Sequence, residues 1–351
     1  MQRTSNTVVF VQDSSKVDET DLSLIHALQI NPRVTWTRLG GVLDVDPSTL
    51  TRRWRRLTRE GLAWFSCYPR RNPAWTGHGW QANAFVEVET VPGNRRAVTE
   101  DLARLSNVWN IDATSGRRDL MLTVSAGSVM ALDEEVMTSI ATIPGVRATR
   151  THFFRRILRE GGSWRLDALS PDQQRALKPA GGQGKSRPGE RDLALLRMLG
   201  PNARLPASEA AQRLGCSTAT ASRWIERLLA SDYVSARCEV AHYLAGWQVA
   251  ATLWLDVPQR ELTTVAAAIA SLPEIRLCAT IGSEANLVAQ VWLHRLEDLD
   301  EFEEQLATDF SGTRVLDRWI TPRFAKRMGH TLRADGRRKD FVPFFAEREP
   351  A

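Results

Sequence analysis

Between residues 18 and 61 apolar side chains recur at helical spacing in three short blocks. Leu22, Leu24, Ile25 and Leu28 mark a first helix, which Asn31-Pro32 ends. Trp36, Leu39 and Leu43 mark a second. Asp46-Pro47-Ser48 then reads as a capped helix start, and a third helix runs to about Arg59 with Gly61 as its stop. Three short helices with tight turns predict a helix-turn-helix. From Gln81 the period changes to strands at 85–88, 108–114, 120–124 and 146–158, with helices at 98–105 and 129–143. Strand-helix-strand-strand-helix-strand predicts a ferredoxin-like sheet with helices on one side. The other face of such a sheet is left open, which predicts pairing with a second sheet.

The pattern is then written again. Sliding the chain by 171 positions lays Asp21–Cys67 on Asp192–Cys238 without a gap, with 12 of 47 residues identical; chance would give roughly three. Gly79-Trp80-Gln81 resumes the match against Gly246-Trp247-Gln248, and it continues through Gly116/Gly282 to Gly145/Gly312. The second ferredoxin pattern reads as strands at 248–256, 275–281, 287–291 and 313–320, with helices at 262–272 and 299–306. The expected fold class is therefore α+β: a winged or plain helix-turn-helix followed by a β-α-β-β-α-β domain, the pair repeated twice. Expected boundaries are 18–66 and 189–238 for the helix-turn-helix units, and 79–159 and 246–327 for the ferredoxin-like units. Residues 160–188 form the expected linker, with a short capped helix at Ser170-Pro171 and a flexible Gly/Pro/Ser run from Pro179 to Gly189. The tail, 328–351, mixes charges with Phe341, Phe344 and Phe345 and reads as a disordered end rather than a docking segment.

Charge sharpens the picture at one place. The chain carries +5 net, and Arg outnumbers Lys 41 to 5, but overall charge is weak evidence for a nucleic-acid partner. On the third helix, Leu50, Trp54 and Leu57 form one stripe. Ser48, Arg52, Arg55, Arg56 and Arg59 lie opposite, and with Arg53 the segment holds five arginines and no acid. A solvated face mixes signs, whereas arginine suits phosphate clamping and bidentate reading of guanine. These residues, with Ser48 and Thr49 at the helix start, are the expected DNA contacts. The corresponding helix of the second copy keeps Thr220, Arg223 and Arg227 outside an Ala221/Ile225/Leu228 stripe, but Glu226 replaces an arginine. Weaker binding is expected there. Trp36, Trp54, Trp80 and Trp247 read as core or interface residues rather than a base-stacking surface.

Other chemistries find little support. The amino terminus offers only Val8–Val11 as an apolar run, and no stretch approaches a membrane span, so a cytoplasmic protein is expected. Cys67, Cys216, Cys238 and Cys278 are scattered, and the six histidines show no metal-ligand spacing, so neither disulfides nor a metal or other cofactor are expected. No P-loop, nucleophile elbow or Rossmann glycine pattern occurs.

The order of elements, with DPSTLTRRWRRL (46–57), STATASRWIERL (217–228) and the hairpin sequences TSGRRDL (114–120) and TIGSEANL (280–287), resembles the Lrp/AsnC family of bacterial transcriptional regulators. The resemblance covers nearly the whole chain apart from the linker and both ends. It implies double-stranded DNA as partner, sheet-mediated pairing, and an amino acid or related small effector bound near the hairpins. Gly116, Arg117, Arg118 and Asp119, with Gly282, Ser283, Glu284 and Asn286, are the implied effector residues; tight turns are the alternative reading of both hairpins. This chain departs from the family in holding two copies. It is accordingly expected either as a homo-oligomer or as an intrachain pseudo-dimer with unequal reading heads, suited to asymmetric operators. Siroheme decarboxylases resemble the same family, but their Arg-Phe-Gly-Ala stretch with a following histidine is replaced here by Trp64-Phe65-Ser66-Cys67-Tyr68-Pro69. His78 and His152 remain isolated catalytic candidates, so no enzyme is expected. A sensing module without DNA binding is the third reading, favoured by the weaker second helix and opposed by the first.

Overall fold

The computed structural model describes residues 17–70, 81–179 and 188–344. Helices α1 (Glu19–Ile30), α2 (Trp36–Leu43) and α3 (Pro47–Arg59) precede strand β1 (Ala63–Pro69). Then come β2 (Ala82–Thr90), α4 (Arg95–Arg104), β3 (Val108–Ala113), β4 (Leu120–Ala126), α5 (Val129–Glu135) and β5 (Val146–Arg159). A short α6 (Pro171–Leu177) leads to α7 (Glu190–Leu199), α8 (Ala207–Leu214), α9 (Thr218–Leu229) and β6 (Val234–Val240). The order continues with β7 (Val249–Asp256), α10 (Leu262–Ser271), β8 (Ile275–Ile281), β9 (Leu287–Leu293), α11 (Asp298–Asp309) and β10 (Arg314–Ile320). It ends with β11 (Arg323–Arg327), β12 (His330–Leu332) and β13 (Arg338–Phe341). The architecture is α+β with antiparallel pairing throughout.

One sheet of eleven strands runs β10-β7-β9-β8-β5-β2-β4-β3-β11-β12-β13. β5 is long enough to serve two partners: Val146–Phe153 pairs with β2, and Phe154–Arg159 with β8. β10 and β11 do the same in two pieces, pairing with β7 and β3. Pro322 sits between these pieces, where its missing N–H breaks the ladder. Because only two residues separate β10 from β11, the sheet wraps round on itself. Its two halves meet across the inner face over Phe85, Met121, Phe154, Trp254, Ile281, Val288 and Trp319.

The strand alternation explains this packing. Ala84, Val86 and Val88 of β2 turn toward a core with Val98, Leu102 and Leu132 of α4 and α5, while Phe85 and Glu87 turn inward. In β7, Leu253 and Leu255 face Leu262, Val265 and Leu299 of α10 and α11, and Trp254 turns inward. Period-2 side-chain direction makes the two faces inescapable once both are covered. The helix expected over 129–143 is shorter: α5 passes into a π-helical turn, Val136–Ile140, before Pro144-Gly145.

The strand continuations are anchored alike. Arg159, at the end of β5, donates to the carbonyls of Ala270 (2.9 Å) and Leu272 beyond α10. Lys326 of β11 donates from Nζ to the Leu105 carbonyl beyond α4 at 2.7 Å. Burial pushes the Lys326 ammonium down to about 7 from an ordinary 10.5. Between those values the unfolded chain holds a proton that the folded chain lacks, so this group makes stability rise with pH from about 7 to about 10.5. Lys326→Met should remove that slope and add on the order of 3 kcal/mol at neutral pH. Buried thiols and phenols such as Cys67 and Tyr68 are pushed up and act oppositely, so the difference between variant and parent in denaturant midpoints across this range is the readout.

The helical segments α1–α3 and α7–α9 share a second, two-stranded sheet in which β1 pairs with β6, Phe65 opposite Cys238 and Cys67 opposite Ala236. Arg33 donates to the carbonyls of Ala203 and Leu205 at 2.8 and 3.1 Å. Arg204 donates to those of Pro32 and Val34, both at 2.9 Å. These exchanged contacts cap a continuous core that includes Leu28, Leu57, Leu199 and Leu228.

Two expectations need correction. Residues 160–179 are packed rather than a linker: Trp164, Leu166, Leu169 and Leu177 are buried in this core. Gln29 accepts from the Leu166 N–H at 2.9 Å, which fixes the segment along α1. Of the expected flexible run, residues 180–187 lie outside the described residues. The tail is not a disordered end over 328–344. β13 lies against the turn after α3, with Arg338 N–H donating to the Gly61 carbonyl at 2.9 Å. Gly61 has φ +71, and a Cβ there would stand 2.6 Å from the Arg338 carbonyl oxygen, so both the turn and the docked tail require glycine. Phe341 and Phe344 complete the attachment at the core. Phe345, the Val8–Val11 run, His78 and the Gly79-Trp80 pair lie outside the described residues. The four cysteines are free, all but Cys216 buried.

Candidate DNA-reading helix and hairpin pocket

Asp46 caps α3, accepting from the Ser48 N–H at 2.8 Å, and Pro47 holds the first helical position. Leu50, Trp54 and Leu57 are buried, with Trp54 against Phe65 at 4.8 Å between ring centroids. The arginines divide into two sets. Arg52, Arg55 and Arg59 are exposed. Arg53 and Arg56 turn back to the start of α1: Arg53 pairs with Asp18 at 2.6 Å and Asp21 at 3.0 Å, and Arg56 pairs with Asp21. The Asp21 side chain is fully buried, so these two guanidiniums compensate a desolvated carboxylate within the domain. Arg53 and Arg56 are thereby corrected from DNA contacts to internal partners. Ser48 is exposed and Thr49 half-buried at the helix start.

The two hairpins converge although they lie far apart in sequence. Ser115 N–H donates to the Ile320 carbonyl at 2.9 Å, and Gly282 N–H to that of Phe153 at 3.1 Å, so each hairpin rests on a strand of the other half. Between them opens a cavity of about 780 Å³. Gly116 (φ +87), Arg117, Arg118, Ser283 and Glu284 line it. Gly282, Asp119 and Asn286 do not. Asp119 accepts from the backbone N–H and hydroxyl of Thr90 at 2.7 and 2.9 Å. Asn286 exchanges bonds with the Val257 backbone at 2.7 and 3.0 Å. Both therefore lock the hairpins to the ends of β2 and β7.

Among the other walls, Glu87, Arg150, Trp254, Asp317 and Trp319 were not legible in the sequence, and His152 stood out there only as an isolated catalytic candidate. Glu87 pairs with Arg118 at 2.7 Å and with His152 Nε2 at 2.9 Å, and His152 Nδ1 meets the Ser283 hydroxyl at 2.9 Å. Arg118 also reaches Asp317 at 2.9 Å and lies 3.6 Å over the Trp319 ring. Burial opposes the charge on Glu87, but the His152 bond and Arg118 outweigh it and hold the carboxyl below its usual range. The same balance holds Asp317 low, with the Trp319 N–H and Arg118 as its partners. The buried charges thus form one connected set of ion pairs. Arg117 and Glu284 are exposed and make no ion pair among the described residues.

Residues 17–58 match the AsnC-type helix-turn-helix domain, and residues 83–164 match the Lrp/AsnC ligand binding domain. The chain is a DNA-binding transcriptional regulator, and these two segments of it are similar to the Lrp/AsnC family. An uncharacterized HTH-type transcriptional regulator of Pyrococcus abyssi is 27% identical over 157 residues, 44% of this chain and 97% of its own. A counterpart from Pyrococcus horikoshii is 26% identical over the same span. Among solved structures, the siroheme decarboxylase NirDL is similar with a TM-score of 0.52 and 16% identity, over 89% of this chain and 93% of that one. At that identity the likeness is one of fold.

The corresponding helix of the second helical segment is differently charged. On α9, Arg223 and Arg227 are exposed, but Glu226 stands beside them and bonds Ser222 at 2.8 Å. Arg227 lies 3.6 Å from Asp192 and repeats, more loosely, the Arg56–Asp21 pair. Thr220 is tied to Ser217, its N–H donating to the Ser217 hydroxyl at 3.2 Å. His152 belongs to the hairpin pocket. No helix among the described residues is long and apolar enough to cross a membrane.

Proposed function

We propose that the regulator is a tandem fusion of two Lrp/AsnC-type units paired within one chain, reading DNA chiefly through α3 and answering to a small zwitterion held between the hairpins. The domain division follows the expected boundaries, except that residues 160–179 belong to the paired heads and residues 328–344 to the first of them. The observation that carries this reading is the hairpin cavity, to which both halves contribute. Its interior charges form one connected set of ion pairs, while Arg117 and Glu284 stand ready for a carboxylate and an ammonium group. An amino acid or a close relative fits that arrangement and the cavity size. Exposed Arg52, Arg55 and Arg59 would hold phosphates, with Ser48 and Thr49 fixing the helix end. Arg223 and Arg227 would give α9 a weaker hold, so operators without two-fold symmetry are favoured. A cytoplasmic setting follows from DNA as partner.

Binding of the purified chain to fragments of its own upstream region, from about 50 to about 300 mM salt with nonspecific competitor, tests this. Salt-sensitive binding that survives competitor, with an asymmetric footprint from one chain per site, is the expected result. Absence of binding at the lowest salt would overturn the role of α3. A symmetric footprint from two chains would overturn the intrachain pairing. Arg117→Ala and Glu284→Ala should each weaken amino-acid binding at least tenfold without changing DNA affinity in the absence of effector.

A further inference from the structure

The contacts between the two helical segments join residues to the repeat equivalents of their own neighbours. Arg33 donates to the carbonyls of Ala203 and Leu205, and Arg204 to those of Pro32 and Val34. Each residue in the first set lies 171 positions before its counterpart in the second, the offset at which the sequence repeats. In the two-stranded sheet Ser66 stands opposite Arg237, its own counterpart at the same offset. Reciprocal pairs of this kind are what a two-fold axis produces. Here they place a pseudo-two-fold axis between Ser66 and Arg237 and between the loops that precede α2 and α8.

The join along this axis is deep. Leu28 with its counterpart Leu199, and Leu57 with Leu228, belong to one core. Cys67 N–H donates to the Gly200 carbonyl at 3.1 Å, tying β1 to the end of α7. Arg33 and Arg204 are half-buried, and Arg204 also lies 4.4 Å over the Trp36 ring of α2. Burial opposes both charges and pushes Arg204 down to about 10, while Glu226 of α9 partly offsets the effect on Arg33. Each planar fork spans two carbonyls of the opposite loop, which fixes its direction as well as its distance. Those loops lead directly into α2 and α8, and α2 fits closely on the start of α3, where a Cβ at Gly40 would stand 2.9 Å from Pro47.

Elements related by a two-fold axis lie at equal height along it. A duplex laid across the axis against α3 is therefore presented with α9 at the same level, and a shared core rather than a linker sets the distance between the two helices. We infer that α1–α3 and α7–α9 form one rigid reading unit that accepts its strong and weak half-sites at a single separation, with Arg33 and Arg204 as positioning residues. The inference rests on α3 and α9 both meeting DNA, as proposed above. Heads joined only by a flexible tether would accept many separations.

Selection of duplexes from a random-sequence pool by the full chain, followed by sequencing, tests it. A strong block accompanied by a weaker one at a single separation is expected. Inserting half a helical turn (about 5 bp) or a whole turn (about 10 bp) between the blocks should in each case lower affinity about fivefold or more, to that of the strong block alone. Recovery at the whole turn, or several separations in the selected pool, would overturn the rigid unit. A lone block would instead overturn the reading by α9 on which the inference rests. Arg33→Met combined with Arg204→Met should keep the strong block and widen the accepted separations. A folded double variant that keeps the parent's single separation would remove the two arginines from this role. Should that variant fail to fold, Arg204→Lys, which retains the charge but not the fork, should show the same widening to a smaller degree.

Discussion

Replacing Arg52, Arg55 and Arg59 together by alanine is expected to flatten the salt dependence of DNA binding by about three units of slope, one for each lost phosphate contact. All three side chains are exposed on one face of α3, and surface substitutions of this kind leave stability within about 0.5 kcal/mol. Binding should therefore weaken on every sequence while the fold persists. Arg53→Ala provides the contrast. Its guanidinium lies on Asp18 and Asp21, so its loss should cost on the order of 1 kcal/mol of stability, discounted for partial exposure, and leave the salt slope unchanged. Fluorescence anisotropy across a salt series, with denaturant melts on the same samples, separates the two effects. An unchanged slope in the triple variant would remove α3 from the interface.

Glu239→Gln should be the most destabilising single exchange. Glu239 of β6 is 2% exposed and meets Arg237, then Arg276 of β8 at 2.8 Å and Arg327 of β11 at 3.9 Å. The cluster joins β6 of the two-stranded sheet to β8 and β11 of the wrapped sheet. Arg276 and Arg327 stack over Trp292 at 3.9 and 4.7 Å. Burial opposes the Glu239 charge, but the three guanidiniums hold the carboxyl down to about 2. Its folded value lies below the unfolded one near 4.5, so its contribution is complete above about 4.5 and is lost as pH falls through about 2. The amide keeps the shape and removes the charge, leaving three buried cations without their anion. A loss of about 3–5 kcal/mol at neutral pH is expected from denaturant midpoints. Glu239→Gln combined with Arg276→Met should recover part of it, because the second exchange removes one uncompensated cation. A single-variant loss under about 1 kcal/mol would mean that water already screens the cluster.

The buried stripe of α3 was readable because helical spacing is a local property: Leu50, Trp54 and Leu57 turn to one side whatever surrounds them. The first hairpin was readable for a similar reason, since Gly116 supplies a left-handed turn, whereas Gly282 of the second does not. The outward arginines were only half readable. A wheel places five on or beside one face, but carboxylates thirty residues earlier claim Arg53 and Arg56. Likewise, Trp164 and Leu166 sit in a stretch whose surrounding Gly, Pro and Ser suggested a linker, yet their burial against α1 holds it in place.

By itself the amino-acid order determined the helices, the strand alternation, the repeated spacing and the basic face of one helix, because these depend on neighbours within a few residues. Tertiary structure decided which arginines are free, where the tail docks and which residues share a cavity. Glu87 and Asp317 meet only after strands from both halves have crossed. The same holds for the value of a charge: Glu239 and Lys326 are ordinary residues in the sequence, and only burial among particular partners gives one a depressed acid and the other a depressed base.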